Sequence, residues 1–370
     1  MITVKNVRTL DDQITDLTIP SSKEYLIEAK EKLLLLPGLI DTHVCLGSIE
    51  HETTNWDLTL SSVLRGGFTA VIEIPGQNTS CSNKQSLERK RKMIDKRLLD
   101  LNIPLHYFLY AHADPKEIEG LGQFKILVKG ILIQLDPKKN EELDVEWDRV
   151  FQLAAWENIP LVVNLSNENT ERNFKTKNHQ TLLSKAIDFA QKASVRLHVL
   201  NVANEQEINL IKVARERALL ITAETTLYHL FQKDSSKADS LWKALNEGLI
   251  ETIGSGYFAN QKDDERALFR GGNYSFFDPI FFLPRLLTAC KEKKITIDKL
   301  VRLANFNVCD IFEIEKNHDV ILVDVDKNDR VRKISHGLTE DIELTGWPAY
   351  IIANGEIFSP PQSGYQVVHS

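Results

Sequence analysis

Eight short apolar runs recur between residues 36 and 255, and helical stretches such as Trp56–Arg65 and Glu205–Arg217 separate several of them. Strands that alternate with helices are typical of a parallel sheet, and eight such units predict an α/β fold, a closed (β/α)8 barrel of the TIM type. An open doubly wound sheet is the alternative, but it more often begins with a glycine-rich phosphate loop, which this sequence lacks. The apolar runs are Leu36–Val44, Ala70–Ile74, Leu105–Leu109, Ile131–Leu135, Leu161–Leu165, Leu197–Val202, Leu219–Ala223 and Ile250–Ser255.

Both ends of the chain carry strand-like patterns of their own. Residues 1–36 alternate short apolar runs with turns, and strand-like runs return near the C-terminus at Val320–Val325, Val331–Ser335 and Ala349–Ala353. Strands from the two ends are natural partners. The sequence therefore predicts one small β-sandwich formed by residues 1–36 and 319–370, beside a barrel formed by residues 37–318.

The charge of the chain bears on its partners and its location. The net charge is −7 and the acidic residues are dispersed, which argues against a nucleic-acid partner. The basic run Arg89–Lys92 is interpreted as the solvent-exposed face of a helix. The four cysteines show no paired spacing, and no run of about 18 apolar residues occurs. We therefore expect a cytoplasmic protein that does not contact the membrane.

The segment Leu36–Leu46 carries the strongest motif, Pro-Gly-Leu-Ile-Asp-Thr-His-Val-Cys. Because residues two apart on a strand face the same side, His43 and Cys45 should point into the barrel mouth together with Asp41. The segment resembles the opening of the amidohydrolase barrel in dihydroorotases and dihydropyrimidinases. The resemblance extends over nearly the whole chain, through Arg65–Val71, Arg196–Val202, Ile221–Leu230, Leu241–Leu245, Ile253–Gly256 and Asp319–Asp324.

The resemblance implies a binuclear metal site, but most of the family's ligand positions hold other residues here. Active relatives use four histidines, an aspartate and usually a carboxylated lysine to activate a bound water. The first histidine is kept as His43 and the second is Cys45. The remaining positions hold residues that bind zinc poorly or not at all, namely Leu132, Asn164, Asn201 and Gly256. We expect no metal cofactor, with a single zinc at His43, Cys45 and Asp41 as the alternative.

The positions for catalysis and substrate binding have changed as well. No catalytic residue is expected, because the family's proton-shuttling aspartate is Gly256. The resemblance places the substrate-binding arginine and asparagine at Gly47 and Gly76. The other polar candidates are given structural roles. Lys129 and His198 are expected to face away from the barrel interior, and His229 and Glu224 are expected to join a polar network at the strand ends. We expect His106 and His112 to form a polar rim. The cysteines Cys81, Cys290 and Cys309 lack a base that would make them nucleophiles.

These observations favour a non-catalytic dihydroorotase homologue, of the pyrimidine-biosynthesis type, kept for assembly or regulation. The resemblance implies aspartate transcarbamoylase as a partner, and we expect a homo-oligomer or a hetero-oligomer. Two alternatives stay open, a hydrolase of another cyclic amide with a remodelled single-metal site and a small-molecule binding module. The aromatic segment Tyr274–Pro284 is interpreted as a buried helix, and it becomes a candidate contact if it is exposed.

Overall fold

A computed structural model describes residues 1–47, 56–75, 81–116, 120–135, 145–165, 176–232, 234–258, 278–335, 338–360 and 366–368. The first four strands are β1 (Ile2–Arg8), β2 (Ile14–Ile19), β3 (Tyr25–Glu28) and β4 (Leu33–Pro37). They belong to a sheet at the side of the barrel and have their own apolar core.

The barrel follows directly, and all eight predicted strands are confirmed. Its neighbouring strands pair in parallel in sequence order, and the last short strand pairs with the first, so the sheet closes. The strands are β5 (Leu39–Cys45), β6 (Phe68–Glu73), β7 (His106–His112), β8 (Gly130–Gln134), β9 (Leu161–Asn164), β10 (Leu197–Leu200), β11 (Ile221–Thr226), β12 (Thr252–Gly254) and β13 (Tyr257–Phe258). The short strands β12 and β13 together occupy the position of the eighth barrel strand, between β11 and β5.

Helices cover the outside of the barrel, and their ends follow ordinary capping chemistry. Asn83 and Ser86 form a reciprocal capping box before α2, and Gly248 ends α8 in the left-handed conformation. The helices are α1 (Trp56–Arg65), α2 (Lys84–Leu101), α3 (Leu121–Phe124), α4 (Val145–Trp156), α5 (Thr176–Ala193), α6 (Glu205–Glu216), α7 (Leu227–Leu230), α8 (Ser235–Glu247), α9 (Phe282–Lys291), α10 (Ile297–Val301) and α11 (Asn307–Phe312). A π-helical segment, Arg302–Phe306, joins α10 to α11.

The C-terminal strands pair with those of the N-terminus, as the sequence predicts, and the described strands of both ends form one sheet where a sandwich was expected. They are β14 (Val320–Ser335), β15 (Leu338–Ala353), β16 (Glu356–Phe358) and β17 (Gln366–Val368). The sheet order is β16-β15-β14-β4-β1-β2, with β3 on β1 and β17 on β14. The two strands predicted at 320–325 and 331–335 are one strand, because a register shift between Asp324 and Asn328 lets it continue through the polar residues. The division of the chain at residues 36 and 319 stays a prediction.

Apolar side chains fill the barrel below its mouth. Phe312 from α11 packs among them, and the inward-facing strand residues include Ile40, Ile72, Leu132, Val162 and Leu200. This layer is the floor on which the polar residues of the mouth rest. Among the described residues, no helix is both long and apolar enough to cross a membrane.

One basic side chain of α2 is not on the wet face where the sequence placed it. Lys90 is only 1% exposed, and its Nζ lies 2.5 Å from Oε1 of the equally buried Glu73 on β6. Lys90 also donates to the carbonyl of Gly47, while the Leu46 amide donates to Glu73 at 2.7 Å. Burial lowers the pKa of Lys90, but Glu73 and the nearby Cys45 and Cys81 together raise it above its ordinary value. The expectation for Arg89–Lys92 is therefore wrong at Lys90, which anchors the end of β5.

The aromatic segment is buried as far as the structure describes it. Phe281 and Phe282 are fully buried, and the Phe281 ring packs edge-on against Trp347 of β15, with centroids 6.4 Å apart. This agrees with the buried-helix interpretation for residues 278–284. Tyr274–Phe277 lie outside the described residues.

Candidate functional site

Polar side chains from five barrel strands meet at the mouth. In this fold the carboxyl ends of the strands form the functional face. The side chains form one hydrogen-bonded chain across that face, in the order Glu224, His43, Asn201, Asn164, Gln134. The network joins β11, β5, β10, β9 and β8.

The centre of this network is a buried pair of an imidazole and a carboxylate. His43 Nδ1 lies 2.8 Å from Glu224 Oε1, and neither side chain is exposed. The Thr42 hydroxyl donates to the other oxygen of Glu224. A carboxylate that accepts from both neighbours fixes the proton of His43 on Nδ1, so Nε2 faces the mouth as an acceptor.

Amide side chains satisfy that acceptor and continue the chain. Asn201 follows β10 in the left-handed conformation (φ 61°), which turns its side chain into the mouth. Its Nδ2 lies 3.5 Å from His43 Nε2 and donates to Asn164 Oδ1 at 2.7 Å. Asn164 in turn donates to Gln134 at 3.1 Å. Asn201 therefore donates in both directions, to His43 on one side and to Asn164 on the other.

These residues do not fit the binuclear metal centre that the fold family implies. A metal would need the lone pair of His43 Nε2, which instead faces the amide N–H of Asn201. Leu132 lies in the apolar floor, and Gly256 offers no side chain. Within the described part of the chain, no three histidine, cysteine, aspartate or glutamate side chains are grouped so that they could hold a metal.

Asp41 and Cys45 are buried on the same strand as His43, and Asp41 is held by backbone groups. Its Oδ1 accepts from the amides of His43 and Ser255 at 3.0 and 2.9 Å. Burial raises the pKa of Asp41 to about 6, and the bond to Ser255 opposes this rise. Cys45 pairs with the strand position of Phe258, whose ring packs against the floor. Asp41 therefore links β5 to the end of β12 through hydrogen bonds.

Glycines shape the site, some of them at positions that the resemblance assigns to functional residues. A Cβ at Gly254 would lie 2.7 Å from the Cβ of His43, so this glycine makes room for the His43–Glu224 pair. Gly256 is in the left-handed region (φ 68°), and its amide donates to the carbonyl of His43 at 2.9 Å. Gly47 supplies a carbonyl to Lys90. Gly76 lies outside the described residues.

His198 corrects one sequence expectation. It faces the barrel interior, where its ring contacts Phe312 at 5.1 Å and its Nδ1 lies 2.8 Å from the Thr222 hydroxyl. The argument from the three-residue offset fails because Asn201 lies beyond the strand in a left-handed turn. Its packing role is as expected, and burial lowers its pKa to about 3.

The remaining candidates divide between the two ends of the barrel. Burial lowers the pKa values of His112 and His229 to about 4, and nearby His43 lowers that of His229 further. Both are neutral groups near the mouth. At the opposite end, His106 pairs with Asp319 at 3.3 Å, and Lys129 donates to the carbonyl of Glu313 at 2.8 Å. His106 is therefore not part of the mouth rim, whereas Lys129 lies away from the site, as predicted.

Sequence reasoning missed three members of this site. Gln134, Thr42 and Ser255 all take part in its hydrogen bonds. Gln134 could have been found, because it lies two residues after Leu132 on the same face of β8. The contacts of Thr42 and Ser255 depend on how β5 meets β11 and β12, which only the closed barrel reveals.

Comparisons with known proteins agree with this architecture. No protein-family model matches the chain. A dihydroorotase from Methanosphaera stadtmanae is 25% identical over 369 residues, and the match covers 85% of this chain and 82% of that relative. Among solved structures, the L-hydantoinase (dihydropyrimidinase) of Arthrobacter aurescens superposes with a TM-score of 0.76 at 18% identity, covering 97% of this chain and 96% of that one.

A second solved structure has a shorter overlap. It is the inactive dihydroorotase-like domain of a Chaetomium thermophilum CAD-like multifunctional protein. Its TM-score is 0.68 at 17% identity, over 88% of this chain and 94% of that domain. Both structural similarities show the shared fold.

Proposed function

Because the homologues of this chain are dihydroorotases and dihydropyrimidinases of the amidohydrolase superfamily, we propose that it is a non-catalytic dihydroorotase-like protein that acts in assembly or regulation. One observation carries the proposal: His43, the one unchanged ligand position, is bonded through both ring nitrogens within a network that ends in amides. An inactive dihydroorotase-like domain with the same fold provides a precedent.

The absence of the usual chemistry follows from the residues at the mouth. Hydrolysis of a ring amide needs an activated water and a group that transfers its proton. The family position for that group is Gly256, and the described His112 and His229 have pKa values lowered to about 4 by burial. The amides of Asn201 and Asn164 neither titrate nor activate water.

The single-metal hydrolase is the weaker candidate. It would have to use Oδ2 of Asp41, because Oδ1 already accepts from two backbone amides. It would also need His43 Nε2 to leave Asn201. The binding-module alternative uses the same mouth without metal, and a ligand-dependent rise in melting temperature would favour it.

Enzyme assays test the proposal directly. Turnover of dihydroorotate, followed in both directions with and without added zinc, should equal the no-enzyme control. A functional dihydroorotase under the same conditions is the positive control, and His43→Ala is the matched variant. Saturable turnover that His43→Ala abolishes would overturn the proposal.

Exposed apolar side chains at the opposite end of the barrel offer a contact for a partner. Ile126 and Trp156 are 89% and 85% exposed. They precede the neighbouring strands β8 and β9, and the Lys125–Glu157 ion pair at 2.7 Å joins their segments. Large apolar and aromatic side chains dominate interface energetics. We propose that this patch contacts aspartate transcarbamoylase, the partner that the resemblance implies.

Gel filtration tests the partner. Mixed with the aspartate transcarbamoylase of its own organism, the protein should elute in a larger complex. That complex should weaken in Ile126→Ser/Trp156→Ser and persist in His43→Ala, since His43 is buried inside the barrel. Two separate peaks at micromolar concentrations would contradict the partnership without bearing on the loss of catalysis.

A further inference from the structure

A cavity of about 670 Å³ lies where the barrel meets the sheet formed by the chain ends. Its walls come from α8, from α9 and the turn that follows it, and from β14 and β15. Ligand pockets commonly have volumes of about 300–1,000 Å³ and occur at junctions between structural units. The cavity shares no lining residue with the mouth network.

Three lysines give this cavity a positive charge. Lys291, Lys293 and Lys294 all line it, and the acidic residue among its lining is Asp326. Lys294 pairs with Glu292 at 2.9 Å. Within the described residues, Lys291 and Lys293 form no ion pair, so their charges are available to a ligand.

The rest of the lining is partly apolar. Leu287 and Ile295 are buried side chains that face the cavity with Val325, and Asn246 and Thr345 add polar groups. An apolar floor under a cationic rim suits a molecule with a hydrocarbon or aromatic body and an anionic end.

We infer that this cavity is a second binding site, for a small organic anion that carries an apolar body. Its carboxylate, sulfonate or phosphate would lie at Lys291 and Lys293, and its body would cover Leu287 and Ile295. Because the walls belong to both structural units, the occupied cavity would hold the barrel and the terminal sheet together.

A fluorescent probe of this chemistry tests the site. Anilinonaphthalenesulfonate has an aromatic body and one sulfonate, and it should bind the full-length protein saturably. In Lys291→Glu/Lys293→Glu its Kd should rise about tenfold or more. The matched control, Lys96→Glu/Lys212→Glu, reverses two exposed charges on α2 and α6 and should bind like the wild type.

Cys290 supplies a second readout from within the cavity. It lines the cavity and is half-buried, whereas the other three cysteines are buried. Bound probe should slow its alkylation. In the wild type, the lysines should raise the rate of alkylation by the anionic reagent iodoacetate relative to the rate with neutral iodoacetamide. Lys291→Glu/Lys293→Glu should abolish this difference. Equal probe affinity in both double variants, or no saturable binding by the wild type, would overturn the inference. The two lysines would then be ordinary surface residues at the C-terminal end of α9.

Discussion

The buried His43–Glu224 pair is the centre of the hydrogen-bonded network at the mouth. In Glu224→Leu the buried Nδ1–H of His43 and the hydroxyl of Thr42 lose their acceptor. A buried donor left unsatisfied costs about 1–3 kcal/mol of the free energy of unfolding. Chemical denaturation should therefore show a loss of at least that size.

The control for this prediction is Glu224→Gln. Its side-chain oxygen can still accept from His43, so it should lose clearly less stability than Glu224→Leu. Equal stability of Glu224→Leu and the wild type would show that the pair does not stabilise the fold.

The buried His198 predicts how stability depends on pH. Its pKa is about 3 in the folded protein and about 6.5 in the unfolded chain. Below pH 6.5 the unfolded chain therefore binds a proton that the folded chain does not. The free energy of unfolding of the wild type, relative to His198→Gln, should fall as the pH drops from 6.5 towards 3, by up to about 1.4 kcal/mol per pH unit.

His106 provides a control of opposite sign. Its hydrogen bond to Asp319 raises the pKa of His106 in the folded state. Protonated His106 therefore adds to the free energy of unfolding below pH 6.5, and this stabilisation is lost as the pH rises through the pKa of the folded protein. The stability difference between wild type and His106→Gln should shrink on raising the pH. Identical pH profiles for wild type, His198→Gln and His106→Gln would contradict both assignments.

At the residue scale, the sequence identified candidate positions at the mouth but not their hydrogen-bond partners. Asn164 and Asn201 were placed by motif, and both lie at the mouth. The left-handed turn at Asn201, which reversed the expected direction of His198, follows from backbone geometry that strand alternation does not describe.

The pairing of α2 with β6 is a prediction at the scale of elements. Lys90→Met leaves the Glu73 carboxylate buried without its cation, and breaking such a pair costs about 3–5 kcal/mol. Denaturant unfolding should show this loss for Lys90→Met and almost none for Lys92→Met on the exposed face of α2. Adding Glu73→Gln to Lys90→Met should recover part of it. No recovery would mean that lost packing, not the unpaired charge, destabilises Lys90→Met.

Short apolar runs located the barrel strands because most of these strands are buried on both faces. Periodicity gave the wrong division for β14, whose polar residues around Asp326 interrupt the apolar pattern while the strand continues. It also missed most of β15, where buried residues such as Trp347 find their partners on α9 and its preceding turn. Such contacts between distant segments are not visible in local patterns.

At the scale of the molecule, a closed barrel carries a chain of hydrogen-bonded polar side chains at its mouth, where the resemblance implies a metal centre. The most direct test is the zinc content of the full-length protein, measured by elemental analysis after purification without chelator and again after incubation with zinc. We expect well under one tightly bound zinc ion per chain in both samples. A value close to two, lost in His43→Ala, would contradict this expectation.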